Sequence, residues 1–263
     1  MAKTTKRGGG KSKGTTGTGS NAALRAVIDD LVTGNRILYD QDIVDSYGHI
    51  SARDPRDPQR FLLSRARAPG LVTAGDIMLF GLDGEVIGGD ERPVYSERFI
   101  HSEVYKARSD VNSVVHSHSP TVVPFTVTQV RLLPIRGAFL YPEVPVFDTR
   151  DVAGFTDLLI SNPALGRAVA QKLGQNSVVL LRGHGDVVVG ATVRMAVHRA
   201  IYTEANAKLL LQAKMLGGPI KYLAAEEAAI MEGNQSRPRP GHGSDRTWEM
   251  WAAEALVRTG KAR

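Results

Sequence analysis

Apolar positions along this chain change from helical to extended spacing and back. Ala22, Leu24, Ala26, Val27, Ile28, Leu31 and Val32 fall at helical spacing behind Asn21, which is suited to cap a helix start, so order is expected from about Asn21 to Tyr39. Beyond Tyr39 the runs shorten. Leu62-Leu63-Ser64 and Ile77-Met78-Leu79-Phe80 read as strands, and Leu82-Asp83-Gly84-Glu85 reads as a hairpin turn because Asp-Gly accepts positive φ. Residues 97–108 place Phe99, Ile100, Val104 and Ala107 on one helical face, and Asn112 to His118 reads as a strand. The apolar stretch 121–148 is broken into short pieces by Pro124, Pro134, Pro142 and Pro145. A short amphipathic helix is expected at 163–173. Two strands follow, Val178–Leu181 and Val187–Val189, flanking Arg182-Gly183-His184-Gly185-Asp186. The longest helix is expected from Val193 to Leu216, capped by Thr192 and stopped by Gly217-Gly218-Pro219. Residues 234–247 read as a loop and Trp248 to Val257 as a final amphipathic helix. Strands and helices mix without strict βαβ alternation, which predicts an α/β domain with a mixed or largely antiparallel sheet covered by helices.

Composition narrows the class. The chain has 263 residues, 42% hydrophobic and 23% charged, as expected of a soluble globular protein able to bury a sizeable core. No apolar run approaches the length of a membrane span, and the basic N-terminus lacks the apolar stretch of a signal peptide, so a cytoplasmic protein without a membrane partner is expected. The absence of cysteine excludes disulfides and thiolate zinc sites, and any metal must be held by imidazole and oxygen. The net charge is +6, but Lys3, Lys6, Arg7, Lys11 and Lys13 carry five of those charges before residue 20. The rest is nearly neutral and offers no stacked-aromatic platform, which argues against a nucleic-acid partner. Three parts are therefore expected: a disordered basic tail at 1–20, a catalytic domain at 21–233, and a linker with a C-terminal helix at 234–263 that packs on the same domain or a neighbouring subunit.

The sharpest chemical signal is Val114-Val115-His116-Ser117-His118. Residues two apart on a strand share a face, so both imidazoles can reach one ion, although such a pair can also be structural. His184 lies between two glycines at the end of an apolar strand, as a turn residue or as a third ligand. Three imidazoles with an open position describe a catalytic metal site. Glu97 opens the helix before the His116 strand. A carboxylate there can serve the helix dipole, bind metal or exchange a proton with substrate.

The string PVYSERFIHSEVYKARSDVNSVVHSHSP at 93–120, followed by LLRGHG at 180–185, resembles the class II aldolase/adducin family. The resemblance runs from about 21 to 216. It implies a three-layer α/β/α fold around a central, mostly antiparallel mixed sheet. It also implies one divalent metal per subunit on His116, His118 and His184, with Mn2+ favoured and Zn2+ or Co2+ as other choices. Glu97 would be the acid/base or a fourth ligand, and the assembly a homotetramer with sites near subunit interfaces.

Two departures bear on the substrate. Sugar-phosphate aldolases of the family carry Gly-Asn-x-Ser where this chain has Gly48-His49-Ile50-Ser51-Ala52-Arg53, and Ser-Ser-Glu where it has Tyr95-Ser96-Glu97. Both changes weaken a phosphate site. The Gly-His-x-Ser form, Ser64-Arg65-Ala66-Arg67-Ala68-Pro69-Gly70 and Arg-Gly-His-Gly resemble the branch that decarboxylates hydroxy-aromatic carboxylates, including hydroxypyridine dicarboxylates of vitamin B6 breakdown. The expected function is decarboxylation of a small aromatic carboxylate, with Glu97 as proton donor and His49 as a second proton carrier or a loop histidine. Ser51, Arg53, Ser64, Arg65, Arg67 and Ser96 are the expected substrate-binding residues, Arg65 and Arg67 because a guanidinium matches a carboxylate with two hydrogen bonds. The alternatives are an aldolase for a non-phosphorylated hydroxy-keto acid and a non-catalytic scaffold like the adducin head. His198, Tyr202, Trp248 and Trp251 read as packing or interface residues.

Overall fold

The computed structural model describes residues 16–137, 144–235 and 244–260. Tail residues 1–15, Pro142 and linker residues 236–243 lie outside the described residues. Helix α1 (Thr16–Asp40) begins five residues before Asn21, the expected start. Three strands follow, β1 (His49–Arg53), β2 (Arg60–Ser64) and β3 (Ile77–Gly81). Helix α2 (Arg98–Ala107) leads into β4 (Ser113–Ser117), and short helix α3 (Val123–Val127) precedes β5 (Val146–Phe147). After α4 (Arg150–Ala153) and α5 (Pro163–Leu173) come β6 (Val178–Leu181), β7 (Gly185–Gly190) and the long α6 (Val193–Leu216). Helices α7 (Ala225–Gln235) and α8 (Ser244–Gly260) close the described chain.

The strands form one sheet in the order β3-β2-β1-β4-β7-β6-β5. Every neighbouring pair is antiparallel except β5 with β6. Side chains alternate across the sheet, and that alternation builds two cores. Ile50, Ala52, Leu62, Val115, Leu180 and Val188 pack with α1, α6 and α8. Phe61, Leu63, Val114, Val179, Val187 and Val189 pack with α2 and α5 on the opposite face. The result is the expected three-layer arrangement with a mostly antiparallel sheet.

Helix α6 occupies the expected span. The Thr192 side chain accepts a hydrogen bond from the Met195 N–H at its start, and Gly217 ends it at positive φ. Helix α8 starts before Trp248 and packs on α1 and α6 of the same chain, with Trp248 and Trp251 buried in the first core. His198 stacks on Tyr202 and makes a hydrogen bond with the Thr247 hydroxyl, so these residues join α6 to α8. No helix among the described residues is long and apolar enough to cross a membrane.

Candidate metal centre

Four side chains converge on the α2 face of the sheet. His116 lies on the central strand β4, paired with His49 of β1 and Val187 of β7, and is fully buried. His118, two residues on, keeps the same face as the strand ends. His184 sits in the turn between β6 and β7, where Gly183 takes a positive φ of 66°. Gly185 then pairs so closely with β4 that a Cβ there would lie 1.9 Å from the Ser117 carbonyl oxygen. Glu97 occupies the N-cap position of α2, but its side chain caps nothing. Its Oε1 accepts a hydrogen bond from the Ile160 N–H at 2.9 Å, which turns Oε2 toward the histidines.

One potential ligand atom from each of Glu97, His116, His118 and His184 lies within 4.8 Å of the others. Glu97 Oε2 is 3.3 Å from His116 Nε2 and 3.6 Å from His184 Nε2, and the Nε2 atoms of His184 and His118 are 3.1 Å apart. The outer nitrogens determine the tautomers. His116 Nδ1 faces the Asp186 carbonyl at 2.9 Å and His184 Nδ1 faces the Leu158 carbonyl at 3.1 Å. A carbonyl only accepts, so both Nδ1 atoms carry a proton and each Nε2 is the ring atom left to bind an ion. His118 Nδ1 lies 3.2 Å from both Asp45 oxygens, which directs its Nε2 inward in the same way. Among the described residues, His116 Nε2 is buried without a hydrogen-bond partner.

Three inward Nε2 atoms beside a carboxylate oxygen call for a cation among them, and the ion competes there with a proton shared by His116 and Glu97. Imidazole nitrogens bind zinc at about 2.0–2.1 Å, so two ligands of one ion stand roughly 3.0–3.4 Å apart, the separation of the His118 and His184 nitrogens. The residues therefore fit a divalent ion held by nitrogen and oxygen. The electrostatics agree with this. Burial alone would raise the Glu97 carboxyl, but the neighbouring His116 and His184 imidazoles outweigh it and hold Glu97 well below the carboxylate range. Burial and His116 lower His184 to about 4, and the same two causes lower His118, so both rings are neutral near neutral pH. At His116 burial works downward, but Glu97 outweighs it and the net direction is up.

The other expected site residues divide. His49 is not on a loop. It lies on β1, buried, with its ring 4.4 Å from that of Tyr95 and 5.1 Å from that of His116. Ser51 is buried two residues along the same face. Arg53 does not join the cluster. Its guanidinium donates to the carbonyls of Pro58, Tyr105, Arg108 and Val111 and closes the C-terminal end of α2. Ser64 is buried against the Tyr95 hydroxyl at 3.3 Å, and that hydroxyl also donates to the Arg67 carbonyl. Arg65 and Arg67 both pair with Asp76, through Nε at 2.7 Å and Nη1 at 3.3 Å. Ser96 is exposed beside Glu97.

Three contributors carry no signal in the local sequence pattern: Asp45 behind His118, Leu158 behind His184, and the Ile160 N–H on Glu97. Two of these act through backbone atoms, which no residue type announces. His101 and Tyr105 are also buried next to His49 and Ser51. Their four-residue spacing along one face of α2 was the available clue.

The class II aldolase and adducin N-terminal domain family matches residues 29–211, and the chain belongs to it. Within the family the chain sits with proteins that carry decarboxylase names. Decarboxylase tropJ of Talaromyces stipitatus is 40% identical over 68% of this chain and 73% of its own length. The 3,4-dihydroxyphthalate decarboxylase of Arthrobacter keyseri is 35% identical over 74% of this chain and 81% of its own length. Among solved structures, an L-fuculose 1-phosphate aldolase from Glaciozyma antarctica PI12 superposes with a TM-score of 0.72 over 95% of this chain and 96% of that one. At 22% identity it speaks to the fold alone.

Proposed function

We propose that this chain is a divalent-metal-dependent decarboxylase of an aromatic carboxylate bearing a hydroxyl beside the leaving group. The convergence of three inward Nε2 atoms on Glu97 carries the reading, and the decarboxylase relatives give the reaction class, a carboxy-lyase. A bound ion would supply Lewis acidity at the substrate hydroxyl, where negative charge builds as CO2 leaves. The chain's own residues do the rest. His116, His118 and His184 fix the ion's position through their carbonyl and carboxylate partners. Glu97, oriented by the Ile160 N–H, moves a proton at Oε2 and delivers it to the ring carbon that CO2 vacates. The Tyr95 and His49 rings, 4.4 Å apart and tilted by 41°, lie beside the ligand cluster, where an aromatic substrate would meet the Tyr95 ring.

One ion per subunit, manganese before zinc or cobalt, belongs to the proposal, since an imidazole and carboxylate set without sulfur accepts each. A homotetramer belongs to it as well. Exposed Leu211, Met215 and Leu216 at the end of α6 offer an apolar face that a neighbouring copy would cover. The test offers the metal-loaded protein a panel of ortho-hydroxy benzene and pyridine carboxylates, including 3,4-dihydroxyphthalate and a hydroxypyridine dicarboxylate, and measures CO2. Release from at least one ring is expected. If every ring is inert with metal bound and a hydroxy-keto acid is cleaved instead, the chain is an aldolase.

A further inference from the structure

A line of buried hydrogen bonds leads away from the metal cluster. His49 Nδ1 is 2.7 Å from His101 Nε2, His101 Nδ1 is 2.6 Å from Ser51 Oγ, and Ser51 Oγ is 2.7 Å from the Tyr105 hydroxyl. All four residues are at most 2% exposed. Tyr105 also lines a cleft open to solvent, with Arg53, Pro58, Gln59, Leu82, Lys106 and Ser109. Each of the three links holds one proton, and each member can both donate and accept. The line therefore has two polarities. In one, every proton points toward Tyr105 and His49 Nε2 is bare. In the other, every proton points toward His49 and its Nε2 carries a hydrogen. Burial, reinforced by His116, lowers His101 to about 3, and burial raises the Tyr105 hydroxyl, so neutral forms hold at both positions around neutral pH.

We propose that His49, His101, Ser51 and Tyr105 form a two-state proton relay that takes the proton of the substrate hydroxyl and returns it for the ring carbon. This rests on the decarboxylase reading above. The steps balance. The substrate hydroxyl gives its proton to His49 Nε2. The Nδ1 proton of His49 moves to His101 Nε2, the Nδ1 proton of His101 to Ser51, that of Ser51 to Tyr105, and that of Tyr105 to cleft water. The bond to the carboxylate then breaks, CO2 leaves, and the electron pair stays on the ring carbon. The relay runs back, His49 Nε2 releases its proton through Glu97 to that carbon, and every group regains its first polarity without a ring flip. A hydroxy carboxylate anion becomes a ring oxyanion plus CO2, one negative charge before and after. His101 and Tyr105 act through His49 and are positioning residues.

The test compares wild type, Ser51→Ala, Tyr105→Phe and the double variant, each with bound metal quantified. Each single variant is expected to lower kcat about tenfold or more with KM and metal content unchanged. The double variant should be no slower than the slower single one, because one break already interrupts the line. Rates in mixed light and heavy water should curve with isotope content in wild type and become linear in the variants. Unchanged kcat, or single losses that multiply in the double variant, would overturn the relay. If wild type releases CO2 from no ring, the decarboxylase reading fails and a second readout decides the relay. In zinc-loaded protein with 15N-labelled histidine, Tyr105→Phe should shift the His49 ring nitrogens three hydrogen bonds away. Unmoved His49 nitrogens would also overturn it.

Discussion

Substituting Gly166 with alanine should damage the metal site from a distance. Gly166 lies on α5 where that helix presses on α2, and an added Cβ would stand 2.4 Å from the Phe99 carbonyl oxygen and 2.9 Å from its carbon. Both are backbone atoms that cannot rotate aside. Ordinary contact begins near 3.4 Å, so the two helices must part by about 1 Å. Phe99 is two residues after Glu97, and α5 follows closely on Ile160, whose N–H holds Glu97 Oε1 at 2.9 Å. A parting of that size takes this hydrogen bond out of range. Overpacking costs about 1–3 kcal/mol, and loss of a hydrogen bond to a charged group adds about 1.5 kcal/mol. The sum, about 2.5–4.5 kcal/mol, corresponds to a fall in Tm of roughly 5–18 °C for a domain of this size. The assay is thermal denaturation of metal-free protein, which avoids stabilisation by the ligand, alongside kcat of the reloaded enzyme. Gly166→Ala should melt early and turn over slowly while still binding metal, because none of the three histidines lies on α2 or α5. A Tm within 2 °C of wild type together with unchanged kcat would refute the reasoning.

Other outcomes follow from the same geometry. Glu97→Gln should lower kcat by about 10²–10⁴ with metal retained on the three imidazoles, and an unchanged rate would remove Glu97 from the proton transfer. Metal uptake at pH 6 should release about one proton, because Glu97 raises the pKa of His116 and the ion displaces that proton; calorimetry in two buffers of different ionisation enthalpy reads the number, and zero would contradict the assigned pairing. Arg53→Met should cost about 2–3 kcal/mol of stability with KM unchanged, since its donors are spent on backbone carbonyls, whereas a raised KM would make it a substrate residue. At Asp76 burial works upward, but Thr73 and the Arg65 and Arg67 guanidinium groups outweigh it and lower its pKa to about 2. That stabilisation is present above the unfolded value near 3.9 and is lost as pH falls toward 2. Urea denaturation between pH 5 and 2 should accordingly show a shallower loss in Asp76→Asn than in wild type.

Much of this architecture is written in local pattern. Helix α6 ends where Thr192 and Gly217 say it must, because a cap and a positive-φ stop are local chemistry. Strands β4 and β6 are legible from their valine and leucine runs. Strand β1 is harder. Its alternation of His49 and Ser51 with Ile50 and Ala52 fits a strand, but polar residues fill one face, and only the folded chain supplies the buried partners that satisfy them. The same limit explains Arg65 and Arg67. Their spacing suits a carboxylate, and the pairing of both with Asp76, eleven residues from Arg65, is visible only in the folded chain. The metal cluster was readable as residues, since His116 and His118 share a strand face. The tautomers that leave Nε2 to bind an ion depend on the Asp186 and Leu158 carbonyls, whose positions are set by tertiary packing.

The most direct measurement of the central claim is a back-titration. The protein is stripped with chelator, and manganese is added in steps while CO2 release from the preferred ring is followed. The account predicts no release from stripped protein, then activity that rises linearly and saturates at about one ion per chain. Release without metal, or saturated metal with no CO2 from any ring, would contradict it.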